Sequence, residues 1–118
     1  MRVLSFYKPA VPPGGPPRPE HMETMSRFAE EMTRKGHLVA AGGFLSSAPV
    51  SVSLRDGDFA VRENAAAIVP EGFHGFGIIQ AGSHQEMMSL VRRFLQVAGD
   101  GECRLHPLME GPPQGGRT

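Results

Sequence analysis

The stretch KPAVPPGGPPRP, residues 8–19, holds six prolines in twelve positions. Proline lacks an amide hydrogen and fixes φ, so neither a helix interior nor an inner strand can run through this stretch. It has to be a loop, and long loops often carry function. Before it, RVLSFY (2–7) has the β-branched and aromatic character of a strand. After it, a helix is expected from Pro19 to Lys35, with proline and the acids Glu20 and Glu23 in the first turn and Arg34 and Lys35 in the last. Met22, Met25, Phe28, Ala29 and Met32 recur at spacings of three and four and give it one apolar stripe. Gly36 is a natural stop.

The remaining elements follow from equally local signals. HLVAAGGFL (37–45) reads as a strand with a turn after it at SSAP (46–49), and Gly42-Gly43 marks a bulge or a close backbone approach. VSVSLRDGDFAV (50–61) alternates on both sides of Asp56-Gly57, the signature of a two-residue hairpin. FHGFGIIQA (73–81) is another strand. Ser83 and Glu86 form a capping box opening a second helix, whose stripe is Met87, Val91, Phe94 and Ala98 and which ends at Gly99. ECRLHPLM (102–109) is the last strand. One domain over residues 1–110 and a flexible tail at 111–118 are expected.

The order β-α-β, hairpin, β-α-β describes an α+β, ferredoxin-like βαββαβ chain with an inserted hairpin, its antiparallel sheet covered by helices on one face. The other face is then bare, and a homodimer with sheets facing each other is the simplest way to cover it. Twelve basic and twelve acidic residues leave no net charge, which argues against nucleic acid as a partner. A single cysteine, Cys103, rules out an internal disulfide and is expected to be a packed thiol. The five histidines show no metal-ligand spacing, so neither metal nor cofactor is expected. The opening apolar run is too short for a signal sequence or a membrane span, and a cytoplasmic protein is expected.

Taken in order, RPEHMETMSRFAEEMTRKGHLVAAGGFL, VSVSLRDGDFAV, GFGII and ECRLHPLME resemble the YCII-related proteins, in particular their DGPF branch, over residues 1 to 110. The resemblance implies a dimeric α+β barrel and a poorly defined range of roles, from small enzymes, aromatic dehydrochlorination among them, to accessory proteins. Arg55-Asp56-Gly57 and Gly75-Phe76 match the ends of the family's central pattern. Between them, Glu63-Asn64-Ala65-Ala66-Ala67-Ile68 replaces the Asp-Gly-Pro-Phe-Ala-Glu signature, so the family's polar equipment is eroded here. His21 in RPEHM resembles the first-helix histidine proposed as catalytic in the family, and His106 stands where the family shows an arginine.

Ferredoxin-like topology sets strand 1 between the last strand and strand 73–81, antiparallel to both, so its end lies near their beginnings. That gathers Tyr7, His21, Glu71, His74 and Arg104 at one edge, roofed by the proline-rich loop. A phenol, two imidazoles and a carboxylate there could move protons on a small apolar or aromatic molecule. Glu71 and His74 could act as a carboxylate–imidazole pair, while Arg55, Arg104 and His106 are candidates for binding an anionic group. Two functions stay open: a cofactor-independent lyase, isomerase or cyclase with His21 as acid/base, or a non-catalytic dimeric ligand-binding or accessory protein. The enzyme requires a deep pocket at that edge with at least two of the polar groups converging, and the accessory protein requires the edge to be filled with side chains or the groups to be scattered into solvent.

Overall fold

A computed structural model describes residues 1–12, 14–45 and 49–110. The elements are β1 (Arg2–Pro9), α1 (Pro19–Arg34), β2 (Leu38–Gly43), β3 (Ser51–Arg55), β4 (Asp58–Arg62), β5 (Gly75–Gln80), α2 (His84–Ala98) and β6 (Gly101–Leu108). The expected turn at 46–49 and the tail at 111–118 fall largely or wholly outside the described residues.

Four strands form one antiparallel sheet in the order β2-β5-β1-β6, with both helices on one face. This is the ferredoxin-like arrangement. β1 is central: Tyr7 lies opposite Gly75 on β5 and Cys103 on β6. It runs two residues further than its sequence indicates, because Lys8 and Pro9 still pair with Glu102 and Gly101 of β6 after β5 has ended. A proline is admissible there because its donorless side meets no neighbouring strand.

α1 has Pro19 in its first turn and closes on a Schellman turn. Gly36 adopts φ 80° and donates to Thr33 O at 3.0 Å, while the amide of His37 reaches Met32 O at 2.8 Å. At α2 the Ser83 hydroxyl accepts from the Glu86 amide at 3.1 Å. The reciprocal half of the box is displaced by one residue, since Glu86 Oε1 takes the amide of Gly82 at 2.6 Å instead of that of Ser83. The bulge falls between Leu38 and Ala40, not at the glycine pair. Gly42 instead marks a close approach: a Cβ there would stand 2.9 Å from the Phe76 ring.

The two helices pack unequally. Met87 and Val91 of α2 are buried against Val3 and Ala81, with Ile79, Cys103 and Leu105 around them. On α1 only Met32 is buried. The hairpin β3–β4 turns through Asp56 and Gly57, both at positive φ as a type I′ turn requires, and forms its own two-stranded sheet. It is therefore an insertion and not an extension of the main sheet. No helix among the described residues is long and apolar enough to cross a membrane.

Candidate functional site

The sheet under α1 is unusually bare. In a strand every second residue faces the same way, so the helix-facing row beside Ser5 and Tyr7 continues across β5 through their partners Gly77 and Gly75. With Ala41 and Gly43 of β2 also on this wall, almost no side chain rises from it. The stripe of α1 lies opposite, and a cavity of about 650 Å³ remains between them. Met22, Met25, Phe28, Ala29 and Met32 line it, so the apolar stripe faces a hollow and not a packed core. Among the described residues of the proline-rich loop, Pro17 reaches the lining.

Three of the expected residues, Tyr7, His21 and His74, lie on the cavity lining. β1 and β5 place two of them: the amide of His74 donates to Tyr7 O at 2.9 Å, which brings the start of β5 beside the end of β1. His21 enters from the first turn of α1 and is exposed. The Tyr7 ring stacks edge-on against Phe94 of α2 at 5.2 Å, and its hydroxyl donates to Gly99 O at 3.3 Å. Burial, aided by Cys103 and Asp100 nearby, holds the Tyr7 phenol above its ordinary value. Tyr7 is thus a proton donor at neutral pH and not a phenolate.

The other four candidates lie elsewhere. Arg104 pairs across β6 with Phe6, not Tyr7, and so faces away from the helices. There it bonds Glu102 at 2.8 Å and lies 4.8 Å over the Phe73 ring. His106 shares that face and donates through Nδ1 to Pro107 O at 3.0 Å. Arg55 sits at the hairpin turn, in register with Asp58. Glu71 is exposed and absent from the lining, and the ion pairs of the described residues include none between Glu71 and His74.

His37 is the residue that sequence reasoning passed over. It lines the cavity at the far end of α1, held by the Schellman turn on one side and by the amide of Gln80 on the other, which donates to His37 O at 2.8 Å. Its ring Nδ1 stands 3.0 Å from Gln80 O. The available signal was a histidine immediately after a helix-stopping glycine, a position that carries a side chain back under the helix it ends.

Cys103 is half-buried beside this wall, in the core under α2, and burial lifts its thiol above the ordinary value of 9.0 despite a hydrogen bond from Ser5. Both Cys103 and Tyr7 titrate higher folded than unfolded, so their contribution to stability is complete below the unfolded values and is lost as pH rises through the folded ones. Thermal melting between pH 7 and 11 should therefore show a falling midpoint from about pH 9 upward, since a free thiol titrates near 8.5 to 9. With Cys103→Ala the decline should begin later, in the phenol range. An unchanged onset would remove Cys103 from the account.

Among the described residues no group of three or more His, Cys, Asp or Glu side chains could hold a metal ion. No protein-family model matches the chain, and no curated protein matches it in sequence. Similarity to solved structures does exist. The chain resembles 5-chloro-2-hydroxyhydroquinone dehydrochlorinase (TftG) from Burkholderia phenoliruptrix AC1100, solved in complex with 2,5-dihydroxybenzoquinone, with a TM-score of 0.50 over 94% of this chain and 96% of that one. At 17% identity the likeness is one of fold, and it agrees with the ferredoxin-like strand order described above.

Proposed function

We propose that the protein is a small-molecule enzyme of the lyase, isomerase or cyclase type, working by histidine acid/base chemistry on an apolar or aromatic substrate held between α1 and the sheet. The observation that carries this reading is the cavity of about 650 Å³ with Tyr7, His21 and His74 on its lining. That volume is within the range of small-molecule sites, roughly 300–1,000 Å³. An imidazole takes a proton from a C–H or O–H of the substrate, and the neutral Tyr7 phenol, turning its one hydroxyl proton from Gly99 O to the ligand, donates to the oxygen on which charge develops. The same fold hosts dehydrochlorination of a hydroxylated aromatic compound in TftG, which supports this class of reaction over a filled, non-catalytic edge. Membership of the YCII-related proteins is part of the same proposal.

A panel of phenols and enolisable ketones in D2O, with 5-chloro-2-hydroxyhydroquinone among them, tests the reading. Protein-dependent deuterium incorporation by NMR, or chloride release from the chlorinated member, is the expected result. Compounds that bind the cavity without either would overturn the enzyme and leave a ligand-binding protein.

We further propose a homodimer. Away from the helices, the sheet shows Leu4, Phe6, Phe76 and Ile78, and the hairpin presents Val52, Leu54, Phe59 and Val61 at 57%, 71%, 69% and 52% exposure. A lone two-stranded hairpin is marginal in water, and exposed apolar residues paired across its strands, Val52 with Val61 and Leu54 with Phe59, mark an interaction site. Light scattering should give twice the chain mass for the native protein and the single-chain mass for Phe59→Glu. A native monomer at micromolar concentration would refute the pairing.

A further inference from the structure

The cavity has a direction. From His21 to Met32 its helical wall advances by about 17 Å, at roughly 1.5 Å per residue, and β5 lines it from Gly75 to Ile79. Tyr7, His21 and His74 mark the end near the proline-rich loop, while His37 and Leu38 mark the end under the start of α2. Between these ends, the lining is methionine, phenylalanine, alanine, glycine and leucine or isoleucine, with Ser5 and Ser26.

The chemistry of the lining restricts what can enter. Among its described residues none is Asp, Glu, Lys or Arg. A carboxylate or ammonium group carried into this space would lose its hydration with no opposite charge to replace it, which is strongly unfavourable. The inner end is more particular. A carbonyl can only accept, so the contact between Nδ1 of His37 and Gln80 O places the proton on Nδ1. In the tautomer with its proton on Nδ1, Nε2 is the acceptor of the ring. The oxygen nearest to it in an ion-pair sense, Glu86 Oε2, is 4.0 Å away, beyond hydrogen-bond reach. Glu86 is also engaged at its other oxygen by Gly82.

Building on the catalytic reading of the cavity, we infer that its ligand is an uncharged, elongated, mainly apolar molecule whose inner end carries a hydroxyl, donated to Nε2 of His37, and whose outer end meets Tyr7, His21 and His74. His37 reads the ligand and sets its depth. The proton transfers belong to the other end.

Three stilbenes test this by fluorescence titration of the full chain: 4,4′-dihydroxystilbene, 4-hydroxystilbene and stilbene-4,4′-dicarboxylate. The dihydroxy compound should bind at least tenfold more tightly than the dicarboxylate. His37→Ala should weaken the dihydroxy compound about fivefold or more, the loss expected for one hydrogen bond, and the monohydroxy compound less than twofold, since its single hydroxyl can turn to the outer end. Tyr7→Phe serves as the matching change at that end, with the melting temperature of each unliganded variant recorded beside it. Equal binding of the dicarboxylate, or equal losses for both phenols in His37→Ala, would overturn the inference while leaving the cavity as the site. A dihydroxystilbene titration unaffected by Gly77→Val would place the ligand outside the cavity and remove both readings.

Discussion

With His21→Ala, turnover of whichever phenol or ketone reacts should fall by about 10²–10⁴-fold, the usual worth of a positioned acid or base. The melting temperature should hardly change. His21 is exposed on the first turn of α1, where Pro19 and the acidic Glu20 already satisfy the needs of a helix start, and an exposed substitution of this kind costs within about 0.5 kcal/mol. Imidazole added to the assay should restore part of the rate, because the side chain removed leaves open space at the mouth of the cavity. Unchanged turnover would take His21 out of the mechanism and shift attention to His74, which lines the same end.

Gly77→Val should separate stability from function in the opposite way. A Cβ on Gly77 would meet Leu38 Cδ1 at 3.6 Å and Ala40 O at 3.8 Å, which are ordinary contacts, so the backbone has no reason to move. Glycine within a strand is unfavourable by roughly 0.5–1 kcal/mol relative to alanine, and a β-branched residue suits a strand better still. Melting should rise by about 4 °C. Ligand binding should drop on the order of ten- to a hundredfold, the equivalent of overfilling a fitted space by about 1–3 kcal/mol. A variant both stabler and still able to bind would mean that the glycine wall is not the ligand's bed. Gly75 is the poorer choice for this test, because its added Cβ would press on Gly42 O at 3.3 Å.

The elements were readable from the chain because their signals are local. Pro19 and Gly36 bracket α1, Asp56-Gly57 turns the hairpin and Ser83 opens α2, each within a few residues of its effect. The strand order was readable from that succession of elements. The faces were only half readable. Tyr7 and Arg104 were assigned to one edge from where their strands begin and end, but Tyr7 pairs with Cys103, and a single residue of offset sends Arg104 to the opposite face. The cavity itself was not readable, because it is made by what three strands lack. Ala41 and Gly43 on β2, and Gly75 and Gly77 on β5, leave it empty only once they are aligned beside Ser5 and Tyr7 on β1. His37 was missed for a related reason: a Schellman turn returns it beneath a helix that the sequence shows as already finished.

The glycine wall and the methionine stripe also differ in how they answer a guest. Backbone alone offers no rotamers to rearrange, so the sheet is a hard, smooth jaw that accepts any flat outline of the right length. Met22, Met25 and Met32 form a soft one, since an unbranched thioether chain reshapes itself at little cost. A grip built this way tolerates variation in a ligand's middle and judges it by its tips, so related compounds of equal reach should compete for the same berth.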